Sequence, residues 1–213
     1  MGKEIVNIVL EALGTIVDLA FIGLLWMVTS LGIVTLGASS TAAYYCMIKC
    51  VRRKSGYIHK EFFRCFRDNF KQSLGITGIF YAILLVVAVD LYFIYCNFTI
   101  VTMSMGVVIL VFTAYALVVF MFACPILSRF DNKVGHTVKV SAALAMRYIH
   151  ISLLYLTLFA LMVIGILAMP FLIIILPGVY MFVKTYPMEW IMRKFMPRVD
   201  PSSEEAEEWY NKR

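Results

Sequence analysis

Long uncharged stretches limit what this chain can fold into. No charged residue occurs from 91 to 128 or from 151 to 183. A run of about 18 or more apolar residues is long enough to cross the hydrocarbon core of a bilayer as a helix. The chain is 62% apolar and 15% charged, and one small soluble core could not cover that much apolar surface. The sequence therefore predicts an all-α, polytopic helical membrane protein.

A basic block interrupts the apolar runs at residues 49–73. It carries eight of the nineteen Lys and Arg residues, and only Glu61 and Asp68 oppose them. Basic loops between hydrophobic spans stay on the cytoplasmic side of a membrane. The block therefore sets the direction of the spans on either side. Since basic residues beside spans meet anionic lipid headgroups, the net charge of +6 predicts the lipid bilayer as a partner and not nucleic acid.

The first two thirds of the chain divide into four predicted spans. Residues 1–18 have a helical period with acids on one side, which predicts a lead-in helix at the membrane interface. The spans follow at 19–36, from 37 to the basic block, at 74–95 and at 100–124. A second charged segment, 126–150, resembles the basic block and is predicted to be cytoplasmic as well.

The last apolar region, 151–183, is too long for one crossing. As a straight helix it would measure about 50 Å, against a hydrocarbon core of about 30 Å. Pro170 and Pro177 interrupt it, so we expect two short spans that turn near Pro170. Lys184 would then lie at the inner end of the last span and extend to the interface. Six spans place the basic residues after 183 inside, and five spans with one long kinked helix are the alternative.

The predicted architecture is three helical hairpins with tight outer turns, joined by two cytoplasmic amphipathic segments. Residues 1–198 form a single transmembrane domain, and residues 199–213 form a short polar, acidic tail. The pattern predicts a multi-pass membrane protein with both termini in the cytoplasm.

An aromatic stripe beside a basic face marks the segment 57–71. This pattern is typical of a helix that lies in the membrane interface, and a partner protein could dock on the same face. The plainer interpretation is a lipid-facing helix with no further role. The residues of this aromatic and basic face are Ile58, Lys60, Phe62, Arg64, Phe66, Arg67, Phe70 and Lys71.

Small and hydroxyl-bearing residues open the second span. Such residues let helices approach closely in lipid and hydrogen-bond across the contact. Simple helix packing is the plainer interpretation, and a polar niche that receives a solute is the functional one. The niche would be lined by Thr35, Ser39, Ser40 and Thr41.

No pattern in the sequence indicates catalysis. The five Cys residues form no CxxC pair. Cys46 and Cys50 could meet on one helix face, but only His59 is near them, so packing explains them better than a metal site. No set of nucleophile, base and orienting group is evident. We therefore predict no catalytic, cofactor-binding or metal-binding residues, and a protein that is not an enzyme.

Three stretches resemble the YesL family of bacterial integral membrane proteins: LGIVTLGASSTAAYY (31–45), EFFRCFRDNFKQS (61–73) and LPGVYMFVKTYPMEWIMRKF (176–195). The second stretch is the most specific, and the resemblance extends over nearly the whole chain. The family has no assigned activity, so it supplies no site residues. Its members are often encoded beside carbohydrate ABC importers, which implies a link to sugar uptake.

Two functions follow as expectations. The first is an accessory or interaction subunit linked to ABC-type carbohydrate uptake, whose partners would be the permease subunits of the importer. The chain has no Walker A motif and no coupling loop of the ABC-permease type. The alternative is a small-solute binding or transport protein acting on its own. An enzyme acting on lipid headgroups is the least favoured class.

Overall fold

The computed structural model describes residues 2–97, 99–130 and 133–195, and this part of the chain is helical throughout, as predicted. The predicted tail, 199–213, lies outside the described residues. The helices are α1 (Gly2–Ser30), α2 (Leu36–Cys46), α3 (Ile58–Asp68), α4 (Phe70–Cys96), α5 (Ile100–Arg129), α6 (Val134–Arg147), α7 (Ile149–Ala168) and α8 (Leu176–Phe195). Short 3₁₀ turns occupy Ile33–Thr35 and Pro170–Ile174, and a π-helix, Met47–Arg52, extends α2.

Four of these helices are long and apolar enough to cross a membrane. They are Val9–Ser30, Phe70–Cys96, Val101–Arg129 and Ile149–Ala168. The chain is therefore an integral membrane protein. The other two predicted spans correspond to α2 and α8, which pack against the four apolar helices.

The first span begins and ends earlier than the predicted 19–36. Helix α1 is continuous from Gly2 to Ser30, and the chain turns through residues 31–35 before α2 begins. The segment 1–18 is thus the first half of the span helix and not a separate lead-in. Asp18 alone does not break a helical pattern that continues on both sides of it.

Hairpin contacts pair α1 with α2, α4 with α5, and α7 with α8. This arrangement confirms the predicted hairpins. The break near Pro170 is also confirmed, because α7 ends at Ala168 and a 3₁₀ turn leads into α8. Proline has no N–H to donate and fits the first turn of a helical segment, which is where Pro170 lies.

Helix α2 lies at the centre of the bundle. Every residue from Gly37 to Ile48 is buried, and the helix contacts α1, α3, α4, α5 and α8. A methyl group at Gly37 would overlap the hydroxyl of Thr77 on α4. The small residues of this segment therefore serve close helix packing.

The two amphipathic segments fold back on their neighbours. Helix α3 packs along α2, and α6 packs along α5. The hydroxyl of Tyr115 on α5 donates to the carbonyl oxygen of Ala142 on α6 across 3.1 Å. Their apolar faces are thus covered by protein.

Two glycines bring α1 and α8 into backbone contact. A methyl group at Gly178 would overlap the carbonyl group of Leu19, and one at Gly23 would overlap the carbonyl group of Ile174. Since no side chain fits between these backbones, the contact requires glycine at both positions.

We predict that Gly178→Ala destabilises the protein by about 1–3 kcal/mol, the usual cost of forcing a group into a filled space. Gly14→Ala is the matched control, because a methyl group on Gly14 of α1 meets nothing within 4 Å. Thermal unfolding in detergent checks both. Equal melting temperatures for the two variants would show that α1 and α8 do not meet in this way.

Candidate functional site

The predicted aromatic and basic face, which we call the α3 face, lies on α3 and on the first two residues of α4. Phe62 is fully buried, and its ring stacks on Phe66 with centroids 6.4 Å apart. Both rings pack in one cluster with Cys46 of α2 and Met47 of the π-helix. Ile58, Phe66 and Phe70 are half-buried. The centre of the aromatic stripe is therefore covered by α2 and its π-helical extension, so Phe62 is not free for a partner or for lipid.

The basic part of the α3 face is split between surface and interior. Lys60, Arg67 and Lys71 are exposed. Arg64 instead donates to the hydroxyl of Tyr45 across 3.1 Å and pairs with Glu61 at 3.1 Å. Arg64 thus helps to fasten α3 to α2.

Lys49 completes this fastening from the α2 side. Its ammonium lies 3.1 Å from Glu61 and 3.3 Å from the hydroxyl of Tyr45. The Lys49 and Glu61 side chains are each 14% exposed. Such partial burial strengthens an ion pair relative to one in open water.

The four niche residues are brought together, but their hydroxyls are occupied. Ser39 donates to the carbonyl oxygen of Thr35 and Thr41 to that of Gly37, across 2.9 and 2.8 Å. Ser40 accepts a hydrogen bond from the indole of Trp26 across 3.1 Å. The Thr35 hydroxyl donates within the turn that precedes α2. Ser40 and Thr35 therefore join α1 to α2 and the turn before it, whereas the Ser39 and Thr41 hydroxyls bond to the backbone of their own segment.

Lys184 is the functional candidate that the sequence reasoning missed. It was predicted to extend to the interface, but it is 3% exposed and enclosed by the bundle. Its ammonium lies 5.4 Å from the centroid of the Tyr155 ring and 5.8 Å from that of Tyr180. No carboxylate in the described ranges forms an ion pair with it.

The sequence contains a signal for this burial. Tyr180, Lys184 and Met188 are spaced by four residues, so they share one face of a helix. Tyr180 and Met188 are buried, and Lys184 follows them into the interior. A helical period drawn through residues 176–195, past the end of the uncharged run, would have placed Lys184 on the apolar face.

Tyrosines of two helices, α7 and α8, lie next to this lysine. The hydroxyl of Tyr155 on α7 donates to the carbonyl oxygen of Lys184 across 3.1 Å. The hydroxyl of Tyr180 is buried and has no hydrogen-bond partner among the described residues. Tyr44 of α2 is 1% exposed, and its hydroxyl likewise has none there.

A buried ion pair joins α5 to α8 next to this centre. Arg129 pairs with Glu189, and their side chains are 7% and 9% exposed. Glu189, Arg129 and Arg52 are the charged groups that act on the Tyr44 hydroxyl. Arg52 itself is exposed. The buried charged groups of this region are therefore two cations, Arg129 and Lys184, and one carboxylate, Glu189.

Arg52 lies beside α8 at one end of this group of polar residues. Its guanidinium lies 4.5 Å from the centroid of the Tyr186 ring and donates to the hydroxyl of Thr185 across 3.5 Å. These contacts tie the end of the π-helix to α8. The polar groups thus lie between α2, α5, α7 and α8, and we call Lys184, Tyr155, Tyr180, Tyr44, Arg129 and Glu189 the polar centre.

The part of the chain that the structure describes holds no group of three His, Cys, Asp or Glu residues placed to bind a metal ion. Cys46, Cys50, Cys65 and Cys124 are buried free thiols, and Cys96 is exposed. Burial raises the pKa of the Cys65 thiol to about 12, so this thiol stays protonated at neutral pH.

Comparison with known proteins gives one match. The family described as "Protein of unknown function, DUF624" matches residues 19–91, which run from the middle of α1 to near the end of α4. No curated protein is significantly similar to the chain. No solved structure is significantly similar to it either. The family carries no known activity, so no residue role is transferred from it.

We predict that Glu189→Gln strongly destabilises the protein, by about 3–5 kcal/mol, because it leaves the Arg129 charge buried without its carboxylate. Replacing both Arg129 and Glu189 by Met should cost less than the single change, since no unpaired charge remains. Thermal unfolding in detergent measures both.

Glu11→Gln is the control for this prediction. Glu11 pairs with Lys54 at the surface, where the two side chains are 68% and 67% exposed, so this change should leave the melting temperature unaltered. If Glu189→Gln behaves like Glu11→Gln, the Arg129–Glu189 pair is not buried.

Proposed function

We propose that the protein is a non-catalytic accessory or interaction subunit of a membrane complex, linked to ABC-type carbohydrate uptake. The carrying observation is a lone acid, Asp90, in the exposed hairpin of α4 and α5. The proposal places the protein in a bacterial cell membrane with both termini in the cytoplasm, in keeping with the basic block at 49–73.

The outer half of this hairpin stands clear of the rest of the bundle. Its side chains from about 85 to 112 are mostly exposed and apolar, among them Leu85, Tyr92, Val108 and Phe112. This chain covers little of that surface. It is therefore available to lipid or to the helices of another subunit.

Asp90 is the one charged residue between positions 72 and 128. It is exposed and opens onto a cleft between α4 and α5 whose other lining residues are apolar. No described residue forms an ion pair with it. An ionisable residue within an apolar span is costly and usually has a specific partner. A helix of another subunit that carries Lys or Arg at this depth would complement it.

The resemblance to the YesL family supplies the link to carbohydrate uptake. Two of the three stretches that carry it, 31–45 and 61–73, lie inside the residues matched by the family model. The partner we propose is accordingly a permease subunit of an ABC-type importer. The α3 face is no longer the proposed docking surface, because α2 covers the centre of its aromatic stripe.

The alternative, a solute-binding or transport protein acting on its own, is favoured by a different observation. Its predicted niche at Thr35, Ser39, Ser40 and Thr41 has its hydroxyls bound within the chain, which leaves little for a solute. The enclosed Lys184 is instead the residue that a solute-binding function would use.

We predict that Asp90→Asn lowers recovery of an importer permease by about tenfold, equivalent to losing about 1.4 kcal/mol of binding. The measurement is affinity purification of the tagged protein from native membranes in gentle detergent, followed by quantitative mass spectrometry. Lys71→Gln is the matched control, since it removes an exposed charge from the same helix, α4, at the end away from the outer half of the hairpin.

Two outcomes would contradict this proposal. Equal permease recovery with Asp90→Asn and Lys71→Gln would exclude Asp90 from the interface. A wild-type protein that purifies without any permease would remove the accessory function altogether and leave the solute-binding alternative.

A further inference from the structure

The polar centre holds a cation that no carboxylate in the described part of the chain pairs with. Arg129 and Glu189 neutralise each other, whereas Lys184 faces tyrosine rings and the Cys124 thiol. Contact with ring faces compensates a buried ammonium only in part. Lysine is rarely buried unless it is paired, so its position in this interior requires an explanation.

Hydrogen-bonding capacity is also left unused beside this cation. The hydroxyl of Tyr180 is buried and has no described partner, and the Tyr180 ring lies 5.8 Å from the Lys184 ammonium. Buried hydroxyls normally find a partner, so an unpartnered one requires an explanation. A cation and an unpartnered hydroxyl on the same face of α8 are the two kinds of group that bind an anionic oxygen.

We propose that Lys184 and Tyr180 form a binding site for the carboxylate of a small organic acid. Lys184 supplies the opposite charge, Tyr180 donates a hydrogen bond, and the ring of Tyr155 provides a face against which the body of the ligand packs. This site lies inside the bundle and is separate from the Asp90 surface, so the two proposals stand or fall independently.

The charge balance selects a carboxylate over a phosphate. A carboxylate brings one negative charge, which the Lys184 ammonium neutralises. A phosphate monoester brings nearly two, and the excess charge would remain buried at high cost.

The first test is the stability of Lys184→Met without ligand. If Lys184 is kept for binding, its buried charge lowers the stability of the protein without ligand. An apolar side chain of similar length should then raise that stability, and we expect the melting temperature to rise by about 5 °C. Lys194→Met is the matched control on α8, because Lys194 is exposed and lies 3.9 Å from the Trp190 ring centroid. A melting temperature for Lys184→Met below that of the wild type would assign Lys184 a structural role and overturn the proposal.

The second test is ligand binding to the detergent-purified wild-type protein. Glucuronate is compared with neutral glucose, and benzoate with neutral benzamide, by thermal shift and by equilibrium dialysis. We expect at least one acid to bind and to raise the melting temperature while its neutral counterpart does neither. Lys184→Met should abolish this difference, and Lys194→Met should keep it.

The remaining outcomes count against the site. An equal response to each acid and its neutral counterpart, or retention of the acid response in Lys184→Met, would overturn it. Lys184→Gln, which removes the charge and keeps the polarity, repeats the binding test and should lose the acid response as Lys184→Met does. A wild-type protein that binds neither acid also contradicts the proposal, whatever the result of the Asp90 experiment.

Discussion

The enclosure of α2 is the constraint on which the rest of the structure depends. A helix buried on all sides needs neighbours on all sides, and α1, α3, α4, α5 and α8 supply them. Gly37, Ala38 and Ser39 are small and buried, so the neighbouring helices can approach α2 closely. The amphipathic α3 follows from the same requirement, since its aromatic side chains cover a face of α2 that would otherwise be open.

Enclosure also explains where the charges lie. The end of α2 carries Lys49 and Arg52, which reach α3 and α8 respectively. The Arg129–Glu189 pair and Lys184 continue this polar region between α5 and α8. In a low-dielectric interior such charges interact strongly, and each needs an opposite charge or hydrogen-bond partners. Among the described residues, no carboxylate forms an ion pair with Lys184.

Hydropathy and charge were enough to predict the helical class, the hairpins and the break near Pro170. Those features depend on runs of residues and on proline geometry, both of which are local in sequence. The bounds of α1 were wrong because the apolar run does not show where a helix turns. Local sequence does not show which neighbouring helix covers a particular helix face. The burial of Phe62 of α3 against α2 is an example.

The candidate site was less predictable than the fold for the same reason. The niche residues Ser39, Ser40 and Thr41 were correctly grouped, but their hydrogen-bond partners depend on the backbone of the same helix and on Trp26. Lys184 was placed at the interface because it follows an uncharged run. Its spacing from Tyr180 and Met188 was the one indication that Lys184 is buried. That spacing predicts a shared helix face only if α8 continues beyond Lys184, as it does in the structure.

The account is tested most directly by the reactivity of the natural thiols toward N-ethylmaleimide in detergent, measured by mass spectrometry over time. Cys46 lies on α2 and Cys50 on its π-helical extension, Cys65 packs against α2 from α3, and Cys124 lies on α5. We predict that Cys96 is modified quickly and that these four react about 100-fold more slowly, because they become accessible only when the bundle opens. Modification of Cys46 or Cys50 at the rate of Cys96 would show that α2 is exposed, and would contradict the account.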